Sequence, residues 1–340
     1  MFLQKEQNCS LYCVYNFIPI FIPKFILNLS LELLTNISLS VILCITDMRK
    51  PLIPKQSADM QTQFNLKEET IMAIKIAVAN QKGGVGKSTT AINIADVLRL
   101  DGNKVLFLDL DPQRNSTTTY GAKIDGENTI VDVLKKDCTA AEAIQHLPLG
   151  DIIAGDPLLA QEKTYFDSKF AKELLLKKAL KDVEGDYDYV VMDTPPDLGV
   201  YMVNALAAAD GCVIPMKADK YSADGLAGFI GTINDITDAL NDKLRIYGVL
   251  LCMYDVRNKL DRDIKEILPA IGEESGFHVF SSPVRISQDI KNVQAFPDEI
   301  NENGDVEVTN RSLIENFPNS NGALDYIKLV DEMKGVINNG

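Results

Sequence analysis

The run Ala79-Asn80-Gln81-Lys82-Gly83-Gly84-Val85-Gly86-Lys87-Ser88-Thr89-Thr90 constrains the fold more than any other stretch of the chain. An apolar segment, 74–78, leads into it, and an amphipathic pattern over 88–100 leads out. Strand, glycine-rich turn and helix together are what a phosphate-binding loop requires. Glycines let successive backbone N–H groups turn inward around an anion, and the helix N-terminus adds its positive dipole end. In such a loop Lys87 reaches the β- and γ-phosphates and the Ser88 hydroxyl ligates Mg²⁺. Against the G-x-x-x-x-G-K-[ST] pattern the first glycine is displaced: the glycines stand at 83, 84 and 86, and a second lysine, Lys82, opens the loop. A glycine-rich turn with two incidental lysines is the bland alternative, and the strand before and helix after weigh against it.

The chain has 340 residues, 46% of them hydrophobic, enough for one large domain or two small ones with a substantial core. A net charge of −14 counts against nucleic-acid binding over the whole surface and leaves room for a local basic patch. Six cysteines show neither C-x-x-C nor metal spacing and read as reduced thiols. The two histidines, His146 and His278, lie apart from any carboxylate or serine motif, so imidazole acid–base chemistry is not expected.

Residues 1–71 differ in character. The stretch 17–45 is rich in Phe, Ile and Leu but is interrupted by Pro19, Pro23, Lys24, Asn28, Glu32 and Asn36. Its uncharged part after Glu32, 33–46, falls short of the ~18 residues of a spanning helix. A weak membrane anchor, a disordered leader and sequence upstream of the true start are the three readings. The last is favoured, because Met72 directly precedes the first core strand and Lys67-Glu68-Glu69 can be encoded by a purine-rich ribosome-binding sequence. The leader's basic and acidic residues balance, so the net charge belongs to 72–340. The expected organisation is an extension over 1–71 and one domain over 72–340.

Within that domain, apolar 105–108 ends in Asp109 and Asp111, which alternation places on one side of a strand end, at the carboxyl edge where open α/β sheets bind ligands. The polar run 113–120 reads as a loop or short helix, 130–134 and 140–147 as short helices, 151–154 as a strand and 170–183 as a strong amphipathic helix. Tyr187-Asp-Tyr-Val-Val-Met-Asp193-Thr194-Pro195-Pro196-Asp197 is a Walker B pattern: an apolar strand ends in a carboxylate that holds Mg²⁺ through water, and a rigid Thr-Pro-Pro loop faces the γ-phosphate. A helix over 199–209, strand 212–216, helix 223–240, strand 246–253, helix 260–271, short strand 278–280 and final helix 323–336 follow, with 297–320 a solvated acidic excursion. Alternating strands and helices predict an α/β fold with one doubly wound, mainly parallel sheet.

K-G-G-V-G-K-S-T with its extra lysine, L-D-L-D-P-Q-R-N, V-V-M-D-T-P-P, L-L-C-M-Y-D-V-R-N at 250–258 and V-R-I-S-Q at 284–288 together resemble the deviant Walker A P-loop ATPases, and among them the ParA/Soj partitioning proteins. The resemblance covers 72–340 and none of 1–71. It implies a slow, partner-stimulated ATPase that uses ATP and Mg²⁺ and dimerises when ATP is bound. It implies a nucleotide site of Lys82, Gly83, Gly84, Val85, Gly86, Lys87, Ser88 and Thr89, with Met253, Tyr254 and Pro283 at the adenine. Lys82, Lys87 and Asp111 are the implied catalytic residues, Lys82 acting across the dimer and Asp111 orienting water; Ser88, Asp111 and Asp193 are the implied metal site. It implies non-specific DNA binding on the nucleoid, through Arg285 with Arg257 and Lys291, and a ParB-like centromere-binding partner. A basic residue often found three places before Arg285 is Ser282 here, and Arg257, Lys259, Arg262, Lys265 and Lys291 are the compensating candidates. The mixed charge of the last helix does not resemble the basic amphipathic helix of membrane-bound relatives, so no membrane partner is expected and the location implied is cytoplasmic. The alternative reading is an ATP-gated positioning or regulatory module with little or no DNA binding.

Overall fold

The computed structural model describes residues 72–219, 222–301 and 306–339. Expectations for 1–71 lie outside the described residues.

In chain order the domain runs β1 (Ile74–Val78), α1 (Lys87–Leu100), β2 (Val105–Asp109), α2 (Asn115–Tyr120), α3 (Ile130–Lys135), β3 (Ile144–Leu147), β4 (Gly150–Ile153), α4 (Leu158–Gln161), α5 (Lys163–Asp167) and α6 (Leu175–Ala179). It continues through β5 (Tyr189–Asp193), α7 (Val200–Ala208), β6 (Gly211–Lys217), α8 (Ser222–Ala239), β7 (Arg245–Cys252), α9 (Lys259–Ser275) and α10 (Gln288–Gln294). The ribbon β8 (Glu299–Ile300) and β9 (Val306–Glu307), then α11 (Leu313–Asn316) and α12 (Asn321–Asn339), complete it. Seven strands form one sheet in the order β3-β4-β2-β5-β1-β6-β7, parallel except for the β3–β4 edge pair.

The parallel strands are buried on both faces, which is why they read as apolar runs rather than alternating ones. Every residue of β2 is buried: Leu106 and Leu108 join the core under α3, α6, α7 and α8, while Val105 and Phe107 join the one under α1 and α12. The register sets the site. Val78 and Asp109 both stand opposite Asp193, so β1, β2 and β5 end level at the carboxyl edge. Because β1 connects to β2 on one side and β6 lies on the other, the loop after β1 opens at the switch in strand order, where such sheets take ligands.

Four local expectations change. Residues 170–183 are one α-helical turn between 3₁₀ turns at Lys172–Leu174 and Leu180–Asp182. Ala171 there takes a left-handed φ of 52°, and the buried Asn204 amide replaces helix bonds by pairing with Lys172 C=O and Leu176 N–H. Residues 140–147 give a 3₁₀ turn and then β3, because pairing with β4 outweighs a weak helical spacing. Residues 278–280 make only a single bridge, Val279 to Val249. The excursion at 297–320 is solvated in its ribbon, but Arg311, Ser312 and Leu313 are buried, with the Arg311 guanidinium on Phe296 C=O, Thr119 C=O and Asp298.

Candidate nucleotide site

The loop after β1 is pinned at its entrance. The Asn80 side chain donates to Pro215 C=O at 2.8 Å and accepts the Lys82 N–H at 2.9 Å, tying the turn to β6. Gly84 and Gly86 adopt φ of 70° and 96°, the left-handed region that costs a side chain energy. Gly86 is the N-cap of α1, and Lys87 is that helix's first residue. The buried Lys87 folds back over the loop, its Nζ donating to Lys82 C=O at 3.0 Å. Burial lowers its pKa, and the charges of Asp193, Asp111 and Asp197 offset that in part.

The three aspartates divide their work. Asp193 is fully buried; its Oδ2 accepts the Ser116 hydroxyl at 2.7 Å, and its Oδ1 has no hydrogen-bond partner. Burial first, then the neighbouring Asp109 charge, raises its pKa, while Ser116 and Ser88 hydroxyls lower it. Asp109 does not share a side with Asp111, as alternation suggested. The chain leaves the strand at Leu110, and Asp109 turns inward: Oδ1 accepts the Asp111 N–H at 3.0 Å, and Oδ2 accepts the Thr117 N–H and hydroxyl at 2.8 and 2.7 Å. Asp111 alone of the β2-end pair faces the cavity, one oxygen accepting the Gln113 N–H at 2.9 Å.

These elements surround a cavity of about 560 Å³. Gly83, Gly84, Gly86, Lys87, Ser88, Thr89 and Asp111 line it. A buried carboxylate oxygen without a donor, beside the Ser88 hydroxyl, is the ligand chemistry a hard divalent cation takes, so the residues fit Mg²⁺. The remaining expected residues are placed unevenly. Lys82 points out of the loop to an ion pair with Asp219, half exposed and off the cavity wall. Met253 lines the cavity in a left-handed conformation of φ 54°, whereas Tyr254 is buried and Pro283 lies off the lining. Arg285 clamps Asp325 through two bonds of 2.8 and 2.6 Å, Arg257 clamps Asp255 at 2.9 and 2.8 Å, and Lys291 is exposed on α10. The structure also brings in Asn115, Thr118, Ile92 and Gln294, and places Ser116 behind Asp193. Asn115, Ser116 and Thr118 fall in the polar run after Asp111, which reads as a loop or short helix and is a short helix, and Ile92 falls in the helix after the loop, while nothing in the sequence singled out Gln294.

The chain matches the AAA domain family over residues 73–246. It is 35% identical to the chromosome-partitioning ATPase Soj of Thermus thermophilus over 76% of this chain and 94% of that protein. Among solved structures, a cobyrinic acid a,c-diamide synthase from Mycobacterium smegmatis with bound ADP and magnesium is 29% identical at a TM-score of 0.63, covering 76% of this chain and 93% of that one. A plasmid partition protein of Borrelia burgdorferi B31 bound to AMPPNP is 28% identical at a TM-score of 0.59, covering 78% and 99%. No helix among the described residues is long and apolar enough to cross a membrane. With its phosphate loop, Walker B strand and a likeness that spans 94% of Soj, the chain belongs to the Soj/ParA family of partitioning ATPases.

Proposed function

We propose that this protein is an ATP-dependent switch of DNA partitioning: it dimerises around Mg²⁺–ATP, binds DNA without sequence preference in that state, and resets by slow hydrolysis. The observation that carries the reading is the level ending of β1, β2 and β5, which brings Lys87, Ser88 and Asp111 to one cavity wall with Asp193 buried beside the Ser88 hydroxyl. Lys87 and the loop N–H groups would hold the phosphates, and Ser88 with Asp193 the cation. Bound Mg²⁺ supplies charge neutralisation on the phosphates, which is most of what phosphoryl transfer asks of a site. Asp111, at the cavity wall with one oxygen engaged, is suited to orienting a water. Lys82 turns away from its own cavity, which supports a role on a second protomer's phosphates. A ParB-like DNA-bound stimulator and a nucleoid location in the cytoplasm follow from the family.

A second reading, an ATP-gated positioning module with little DNA binding, is favoured by one observation. Arg257 and Arg285 are each already matched by a carboxylate of this chain, in a protein of net charge −14. One experiment separates the two: the Asp111→Ala protein is titrated onto random-sequence duplex at low salt with ATP and with ADP. Binding with ATP alone, lost as salt rises, is the expected result. An ATP dimer in light scattering that binds no DNA selects the positioning module.

A further inference from the structure

Helix α2 is six residues long and carries no charge, yet it hydrogen-bonds two buried carboxylates of the site, Asp193 and Asp109. Its Asn115, Thr118 and Thr119 line the nucleotide cavity. Its two intervening residues, Ser116 and Thr117, are buried and face the other way, onto the ends of β5 and β2. We propose that Ser116 and Thr117 are the positioning residues of this ATPase: Ser116 fixes Asp193 so that Oδ1 is left for the cation, and Thr117, through Asp109, fixes Asp111 at the cavity wall. The proposal rests on the Mg²⁺–ATP reading above and goes beyond it in assigning how the carboxylates are aimed.

The donor directions follow for the ionised site. An ionised carboxylate can only accept, so the Ser116 hydroxyl donates to Asp193 Oδ2 at 2.7 Å. The Thr117 oxygen accepts the Gly155 N–H at 2.8 Å and therefore spends its single proton on Asp109 Oδ2, which also takes the Thr117 N–H. Asp109's other oxygen is on the Asp111 N–H, so a movement of Thr117 reaches the backbone that carries Asp111. Space leaves no slack: a Cβ added at Gly155 would stand 2.9 Å from Asp109 Cγ. Arg114, capping α2 in a left-handed conformation of φ 57° and ψ 31°, makes the turn that lets neighbouring residues reach two different strands. Non-glycine residues hold such a conformation only when their surroundings impose it.

The test measures binding of a fluorescent ATP analogue to the full chain, in EDTA and across a Mg²⁺ titration, and separately steady-state hydrolysis. For Ser116→Ala, affinity in EDTA should stay within about twofold of wild type, while the Mg²⁺ concentration for half effect rises about tenfold, the loss of one charge-assisted bond. Ser116→Thr, which keeps the hydroxyl, should return that midpoint to within about threefold. For Thr117→Val, which keeps shape and N–H, kcat should fall about tenfold with KM for ATP nearly unchanged, and Thr117→Ser should restore it. An unchanged Mg²⁺ midpoint in Ser116→Ala overturns the assignment. So does an Ala variant that loses metal-free affinity and Mg²⁺ response together, because Ser116 would then support the fold rather than aim a ligand. Wild-type binding that ignores Mg²⁺ overturns the Mg²⁺–ATP reading itself, and that arm involves no variant.

Discussion

The carboxyl edge of the sheet and the basic surface beyond β7 both carry residues expected to meet phosphate, and they are built on opposite plans. At the sheet edge the charged groups are buried, and two of them are left with unspent capacity: Asp193 Oδ1 has no donor, and Lys87 has only a backbone carbonyl. Burying such groups without full partners costs stability, and at a cavity a ligand that completes them offsets that cost. On the basic surface three of the candidate cations are already paired with a carboxylate of the chain. Arg285 is spent on Asp325, Arg257 on Asp255 and Lys259 on Asp263. Unsatisfied charge marks the first region as a site; satisfied charge makes the second one conditional on what a ligand offers in exchange.

The sharpest way to break the contrast is at Lys87. Lys87→Ala removes the one buried cation over the loop, and ATP affinity should fall by about 3–4 kcal/mol, on the order of 10²–10³-fold. Thermal stability should hold or rise, because an ammonium that burial disfavours has been deleted. Isothermal titration and thermal unfolding read the two effects separately; unchanged ATP affinity would remove the loop from the site. Lys82→Ala comes next. Lys82 spends its charge at the surface on Asp219, so ATP affinity should change less than about threefold, the scale of a surface ion pair. ATP-dependent dimerisation in light scattering and hydrolysis should both be lost, the latter on the order of 10³-fold or more as for a charge supplied in trans. A fully active monomeric Lys82→Ala protein would place that lysine among ordinary surface cations.

The same contrast explains what could be read from the chain alone. The loop from Asn80 to Thr89 and the aspartate closing β5 were legible because their spacing dictates local backbone: glycines where φ turns positive, an apolar strand before and a helix after. The doubly wound sheet was legible for the same reason, since buried parallel strands write themselves as apolar runs. Ser116 was not, because its role depends on a carboxylate 77 residues away that register alone brings opposite. Nor was the inward turn of Asp109, since strand alternation stops applying at Leu110. The broken helix at 172–182 was hidden likewise, its backbone groups being taken by Asn204 from another element. The basic residues near 285 were visible as charges, but the sequence held no hint that Asp325, 40 residues on, had claimed the first of them.

That pair gives the smallest effect and the finest test of the comparison. Asp325 is almost fully buried and accepts both the guanidinium and the backbone N–H of Arg285, whereas the Arg285 side chain is 39% exposed. The two ends of the bridge are therefore unequal. Arg285→Ala leaves a carboxylate buried with only the backbone donor and should cost about 2 kcal/mol of stability. Asp325→Asn leaves an arginine that water can reach and should cost less, about 1 kcal/mol. On DNA the order reverses in sign. If Arg285 meets phosphate, Asp325→Asn frees it from its competitor and low-salt affinity for random duplex should rise about threefold, while Arg285→Ala lowers affinity and reduces the salt slope by about 0.9. If neither variant moves DNA affinity while both move the unfolding midpoint, Arg285 is a brace for α12, and the basic surface has no claim on nucleic acid at that position.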